Sequence, residues 1–176
     1  MTRRSGRSSP EAARTWLAAL LAAALAAGCG VYTFSGSTLP GHLKTVDIPL
    51  FANQTMEPAV AEQITTELTS QVLGANLLRP VTGRGDASIN GVVTGYSNAE
   101  YHYDIRRERM VNVTEYMVSV TVTVEFADNR KSDTLYKGTL TGQGIYAFAT
   151  EKEEDGRKRA VDDLVRQILE HSVQSW

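Results

Sequence analysis

The groups able to do chemistry in this 176-residue chain are one thiol, three imidazoles and two bunches of cationic side chains. Cys29 is the only cysteine, so it cannot close an intramolecular disulfide, and its placement points to covalent processing. His42, His102 and His171 fall in a lead-in, a strand-like stretch and a helix end. No two have metal-ligand spacing on a common element. His102, between Tyr101 and Tyr103, reads as a surface or pairing residue. The chain has no Gly-x-Ser-x-Gly elbow and no phosphate-cradling glycine loop. The sequence therefore predicts no catalytic residue, no metal site and no cofactor, and a protein that is not an enzyme.

The cations point to binding instead. Arg106-Arg107-Glu108-Arg109 sets three guanidiniums just before a long strand, and the arginine fork makes charge-assisted, bidentate contacts with phosphates and carboxylates. The same cluster can also serve as an edge-protecting charge that repels strand addition. Lys152 and Arg157-Lys158-Arg159 form a second basic group among Glu151, Glu153, Glu154 and Asp155. Acids there suit a helix amino end, and this group reads as a solvated helix entrance.

The setting of Cys29 is a leader. Arg3, Arg4, Arg7 and Arg14 precede an apolar run from Trp16 to Gly28, the layout of an export signal with a charged start, a short apolar stretch and small residues before the cut. A spanning helix needs roughly 20 apolar residues, more than this run offers. Leu25-Ala26-Ala27-Gly28-Cys29 resembles the lipobox of bacterial lipoproteins, with Ala26 where leucine is usual. The resemblance implies that residues 1–28 are removed, that Cys29 is acylated, and that 29–43 form a lipidated tether. Three acyl chains exceed the two-signal requirement for stable anchoring, so the membrane would hold the protein without a spanning segment. Gly30 follows the cysteine, where an aspartate often marks inner-membrane lipoproteins, and this favours the outer membrane.

Without residues 1–28 the chain keeps 14 basic and 19 acidic residues and has the size of one domain with a single core. Nucleic-acid binders are normally basic overall, so none is expected as a partner. An anionic ligand must be met by a local patch.

The elements that position these groups follow from hydrophobic period. Thr45 to Phe51 alternates Val46, Ile48 and Leu50 as a half-buried strand does, and Pro49 confines it to an edge or to its own end. Thr55 is a candidate helix cap with Pro58 in the first turn. Val60, Ile64, Leu68 and Val72, widened by Ala61 and Leu73, then trace a helical stripe that should stop near Gly74-Ala75-Asn76. Leu77 and Leu78 suggest a short strand, and Ala87 to Tyr103 a longer one, with Gly91 and Gly95 marking a bulge or bend. Tyr116, Val118, Val120, Val122, Val124 and Phe126 alternate with mostly polar residues, as in a strand with one face on a core. After the polar turn 128–133, Leu135 to Phe148 should pair antiparallel with that strand, and Gly142 and Gly144 mark a bulge or a close backbone contact. Val161, Leu164, Val165, Ile168 and Leu169 line one face of a last helix. The expected fold is α+β, a two-layer sandwich: two amphipathic helices on one face of a mostly antiparallel, about four-stranded sheet, in a single domain over 44–176.

Taken in order, Cys29-Gly30-Val31-Tyr32, Val46-Asp47-Ile48-Pro49, Phe51-Ala52-Asn53-Gln54-Thr55, Thr114-Glu115-Tyr116-Met117 and the terminal amphipathic helix resemble the LPS-assembly lipoprotein family LptE, over roughly Cys29 to Val173. The resemblance implies an outer-membrane lipoprotein on the periplasmic face. Such a protein partners and plugs the β-barrel LptD and helps deliver lipopolysaccharide to the surface. It also implies lipopolysaccharide contacts near the start of the Glu-Tyr strand and near the approach to the last helix. Counting back from Glu115-Tyr116, Arg109 is the best positional match, with Arg106 and Arg107 as neighbours, and Lys152 corresponds to the second position. An alternative is a lipoprotein regulator of peptidoglycan synthesis, because Ile48 to Thr55 is also similar to the opening of penicillin-binding-protein activators. A non-catalytic periplasmic scaffold is a third reading.

Overall fold

The computed structural model describes residues 39–106 and 110–172, with side chains described outside 103–113. The expected signal peptide, Cys29, most of the 29–43 tether, Arg107 and Arg109 lie outside the described residues.

The elements are β1 (Thr45–Asp47), β2 (Ala52–Asn53), α1 (Val60–Ala75), β3 (Arg79–Val81), β4 (Ala87–Arg106), β5 (Met110–Asp128), β6 (Asp133–Ala147) and α2 (Glu153–Ser172). The sheet has six strands in the order β3-β1-β4-β5-β6, with β2 also on β4. It is mixed. β4, β5 and β6 form the expected antiparallel meander, but β1 runs parallel to both β3 and β4, and β2 parallel to β4. This corrects the four-stranded, mostly antiparallel expectation.

The physical reasons lie in α1 and Pro49. A helix joining two strands carries the chain back to the end it started from, so β1 and β3 meet parallel. Pro49 has no amide proton for a ladder. The expected 45–51 strand accordingly stops at Asp47, and the chain rejoins β4 only at Ala52. Phe51, between the two pieces, is buried at 2% exposure against a position where only glycine fits. A Cβ on Gly91 would stand 2.1 Å from the Phe51 ring.

Helix α1 buries Val60, Ala61, Ile64, Leu68 and Val72, the stripe its sequence spells out. Thr55 does not cap it; Ala59 occupies that place without a side-chain bond. Thr55 Oγ1 instead accepts from the Glu57 N–H at 3.3 Å, closing the preceding loop. At the far end Asn76 adopts a left-handed backbone, φ 53°, as its N–H bonds to the Leu73 carbonyl. Asn tolerates that region better than most residues.

Val118, Val120, Val122, Val124 and Phe126 of β5 are fully buried beneath α2, which also covers β6. On the uncovered face Thr121 and Thr141 share a hydroxyl hydrogen bond at 3.0 Å, and Thr123 and Thr139 one at 3.2 Å. The helix–sheet contact is closest at two glycines. A Cβ on Gly142 would stand 2.1 Å from the Ala160 carbonyl oxygen, and one on Gly144 2.0 Å from that of Gly156. Gly142 and Gly144 are therefore close backbone contacts rather than a bulge, since the β5–β6 register runs unbroken through them. A bulge does fall between Val93 and Gly95.

Candidate functional site

Strands β4 and β5 outrun their neighbours. β2 leaves β4 at Asn53↔Val93, and β6 leaves β5 at Glu115↔Ala147, followed by a bond from the Phe148 N–H to the Thr114 carbonyl at 3.1 Å. From there to the last rung, Arg106↔Met110, β4 and β5 have only each other as strand partners among the described residues. Five residues at strand rise make this ribbon about 17 Å long. On β4 the residues leading into it, Ser97 to His102, are exposed.

The root of this arm carries aromatic rings. Tyr116 stacks on Tyr146 with centroids 5.7 Å apart and meets Phe148 at 5.3 Å. Asn98 Nδ2 donates to the Tyr146 hydroxyl at 2.9 Å, and Phe148 is 62% exposed. Register makes this shelf, because Tyr116 and Tyr146 are cross-strand partners and such pairs interact directly. Sequence reasoning saw Tyr116 only as a strand opener. Two aromatic residues spaced by two, Tyr146 and Phe148, near the end of a strand-like stretch were the signal available, but it gains meaning only once β5 and β6 are in register.

Lys152 lies between Phe148 and α2, exposed, and its ammonium has no partner among the described residues. Its backbone is held in the first turn of α2, with N–H donating to Asp155 Oδ2 at 2.9 Å. Arg106 ends β4 at the far rung. The structure thus brings Arg106 and Lys152 to the same end of the sheet, at the tip and root of the arm, without bringing them into one cluster.

Of the other basic residues near Lys152, Arg157 and Arg159 are structural, which corrects their reading as a solvated helix entrance, whereas Lys158 is exposed as that reading expects. Arg157 is mostly buried, and Nη1 donates to Glu57 Oε1 at 2.9 Å, tying α2 to the loop before α1. Its Nε is buried without a partner among the described residues. Arg159 pairs with Glu151 and donates to the Ile145 carbonyl at 2.6 Å. The Arg159 guanidinium, with the Ala147 N–H, holds the Glu151 carboxyl at about 2. Nearby, the Tyr96 hydroxyl donates to Glu153 Oε1 at 2.6 Å, and burial together with that bond pushes the phenol well above its ordinary range. His102 sits on the arm as a pairing residue, with Nδ1 3.1 Å from Glu115.

The arm therefore presents exposed aromatic surface, an unpaired ammonium at its root and a basic sequence at its tip. That combination suits an amphiphile with apolar chains and an anionic head. The fold and arm define a small α+β domain of the two-layer kind, with both helices on one face of a mixed sheet and a long hairpin projecting past them. The chain belongs to the LptE family, described as lipopolysaccharide-assembly, whose model matches residues 43–172. No curated protein matches the sequence significantly. Among solved structures, a hypothetical protein from Chlamydia trachomatis is 9% identical, with 72% of this chain and 94% of that one covered at a TM-score of 0.52. A protein from Xanthomonas campestris is 4% identical, with 72% and 81% covered at a TM-score of 0.50. PelC from Paraburkholderia phytofirmans, crystallised as a dodecamer, is 16% identical, with 72% and 83% covered at 0.48. At such identities the likeness is one of fold alone.

Proposed function

We propose that this protein is an outer-membrane lipoprotein of the periplasmic face, acylated at Cys29. In this reading it partners and plugs an LptD-type β-barrel and contacts lipopolysaccharide through the arm. The observation that carries the reading is the ribbon of β4 and β5, which leaves the helix-covered sheet, bears an aromatic shelf at its root, and runs to Arg106 at the start of the arginine cluster. Lipid A joins acyl chains to phosphates. The guanidiniums of Arg106, Arg107 and Arg109, with Lys152, would engage the phosphates, while the exposed Phe148 ring, backed by Tyr116 and the buried Tyr146, would meet the chains. The threonine-rich uncovered face suits the inner wall of a barrel, which is polar.

Charge reversal of Arg106, Arg107 and Arg109 together, with Lys152→Glu as a separate variant, tests the contact. The triple variant should keep its circular dichroism and thermal midpoint but bind lipopolysaccharide at least tenfold more weakly, because each charge-assisted bond contributes about 1.5–3 kcal/mol. Unchanged affinity in a folded triple variant discards the assignment. Co-purification from detergent-solubilised envelope tests the partner. A large β-barrel is the expected companion, whereas a penicillin-binding protein in its place would support the peptidoglycan-regulator reading.

A further inference from the structure

At the end of the sheet opposite the arm the chain enters the domain. Leu43 is buried, and its N–H bonds to the Pro40 carbonyl. His42 Nε2 lies 2.6 Å from Asp128 Oδ2, and the N–H groups of Lys44 and Thr45 both donate to Asp86 Oδ2 at 3.0 Å. The Arg79 N–H bonds to the Lys44 carbonyl, the Asn129 N–H to the Asp86 carbonyl, and Asn129 Nδ2 to the Gly85 carbonyl. These bonds gather the lead-in, the 82–86 turn and the 128–133 turn into one basal surface.

Charge on that surface is sorted by direction. Its acids are largely consumed from within. Asp86 holds Arg130 as well as the two backbone donors. Asp128, 1% exposed, takes His42 and the N–H groups of Arg130 and Lys131, and Asp47 takes the Gly83 N–H. Asp133 is the basal acid left exposed. The cations face outward: Lys44, Arg79, Arg84 and Lys131 are exposed and form no ion pair among the described residues. In a chain with more acids than bases beyond residue 28, this end is a cationic exception.

We propose that this basal surface rests on the anionic phospholipid headgroups of the leaflet that carries the anchor, an inference that depends on acylation of Cys29. Leu39 follows Cys29 by ten positions, and a chain of that length reaches at most about 35 Å. Strand β4 alone has 20 residues, or roughly 65 Å. The anchor therefore keeps the base, rather than the arm tip, near the bilayer, and a short tether makes a second contact effectively intramolecular. Basic residues are drawn to an anionic surface over about a Debye length, roughly 8–10 Å, and salt removes the attraction.

The test uses the mature protein purified from membranes, with acylation read from its intact mass, reconstituted into vesicles of phosphatidylcholine with or without phosphatidylglycerol. An amine-reactive label reports Lys44 and Lys131, with Lys158 as the internal control. With phosphatidylglycerol present, labelling of Lys44 and Lys131 should fall several-fold and recover in high salt, but inorganic phosphate exchanged for chloride in the low-salt buffer, with the ionic strength unchanged, should not restore it. Lys158 should not change. Arg79→Glu with Arg84→Glu should abolish the protection, and Arg79→Gln with Arg84→Gln should weaken it if the reversal pair does not fold. Equal labelling on both vesicles, in a protein whose mass includes the acyl chains, overturns the basal contact alone. A mass without acyl chains overturns the anchor and the basal contact together.

Discussion

Asp86 shows how one side chain can join separate turns. Its carboxylate accepts from the backbone of Lys44 and Thr45 and from the Arg130 guanidinium at 2.7 Å. Foremost through the Lys44 N–H, these donors lower its titration from 3.8 to about 2. Glu151 is lowered from 4.5 to about 2, chiefly by Arg159. Burial pushes Asp128 up, but the bonds from His42, Lys131 and Arg130 outweigh it and leave the group below its ordinary value. A carboxylate whose folded titration is depressed stabilises the fold fully above its unfolded titration, and that contribution disappears as pH falls toward the folded one. The thermal midpoint should therefore hold steady from neutral pH to about 5 and then drop steeply toward about 2. Asp86→Asn should lower the midpoint at neutral pH and shrink the acid-induced drop, read by circular dichroism melts across pH. An undiminished drop in that variant would remove Asp86 from the account. None of this was legible in the sequence, where Asp86 was one residue of a turn. The bonds come from residues 41 to 44 positions away.

Among the elements, α2 and β6 fit through their glycines. Because a methyl on Gly142 or Gly144 would meet helix backbone, relief requires moving α2 off the sheet. Gly142→Ala and Gly144→Ala should each destabilise by about 1–3 kcal/mol, the usual range for overpacking. Gly95→Ala, whose Cβ would stand 3.4 Å from the Thr121 Cβ, should cost much less. Urea denaturation of the three variants measures the contrast, and equal effects would contradict it. The same helix and the residues before it shield the sheet edge: Gln167 donates to the Thr141 carbonyl and Asp163 accepts the Gln143 N–H, while Glu151, just ahead of α2, accepts the Ala147 N–H. Such satisfied groups deny another strand a template. Long elements were readable because period accumulates with length. The faces of α1, β5 and α2 follow their apolar stripes, except that Leu73, near the end of α1, is exposed and Tyr116, at the edge of the β5 stripe, is only half-buried. β1, β2 and β3 have three residues or fewer, too few to fix a direction, so the parallel pairing was not legible even where alternation marked the first strand.

For the molecule as a whole, stability and recognition occupy different lengths of the same two strands. The buried rungs of β4 and β5 lie between Ala87 and Val93 and between Val118 and Phe126, whereas Ser97 to His102 of β4 are exposed and the ribbon beyond them ends where the arginines begin. The sequence marked the arginine cluster and the long strands around it, yet could not show that the strands lose their neighbours at Val93 and Glu115, because that depends on where β2 and β6 stop. Excising the arm should therefore separate the two properties. Replacing Tyr101 to Glu115 by Asn-Gly leaves Glu100 opposite Tyr116, the rung they already form, and a two-residue turn of that type matches the twist of the strands it joins. Tyr116, Tyr146 and Phe148 stay in place. Isolated two-stranded ribbons are marginal in water, so little folding energy is removed and the thermal midpoint should move by no more than a few degrees. Lipopolysaccharide binding should fall as far as in the arginine charge reversal. A folded, armless protein that binds as well as the parent would shift recognition to the helix-covered body, and a large loss of stability would show that the ribbon is part of the folding unit.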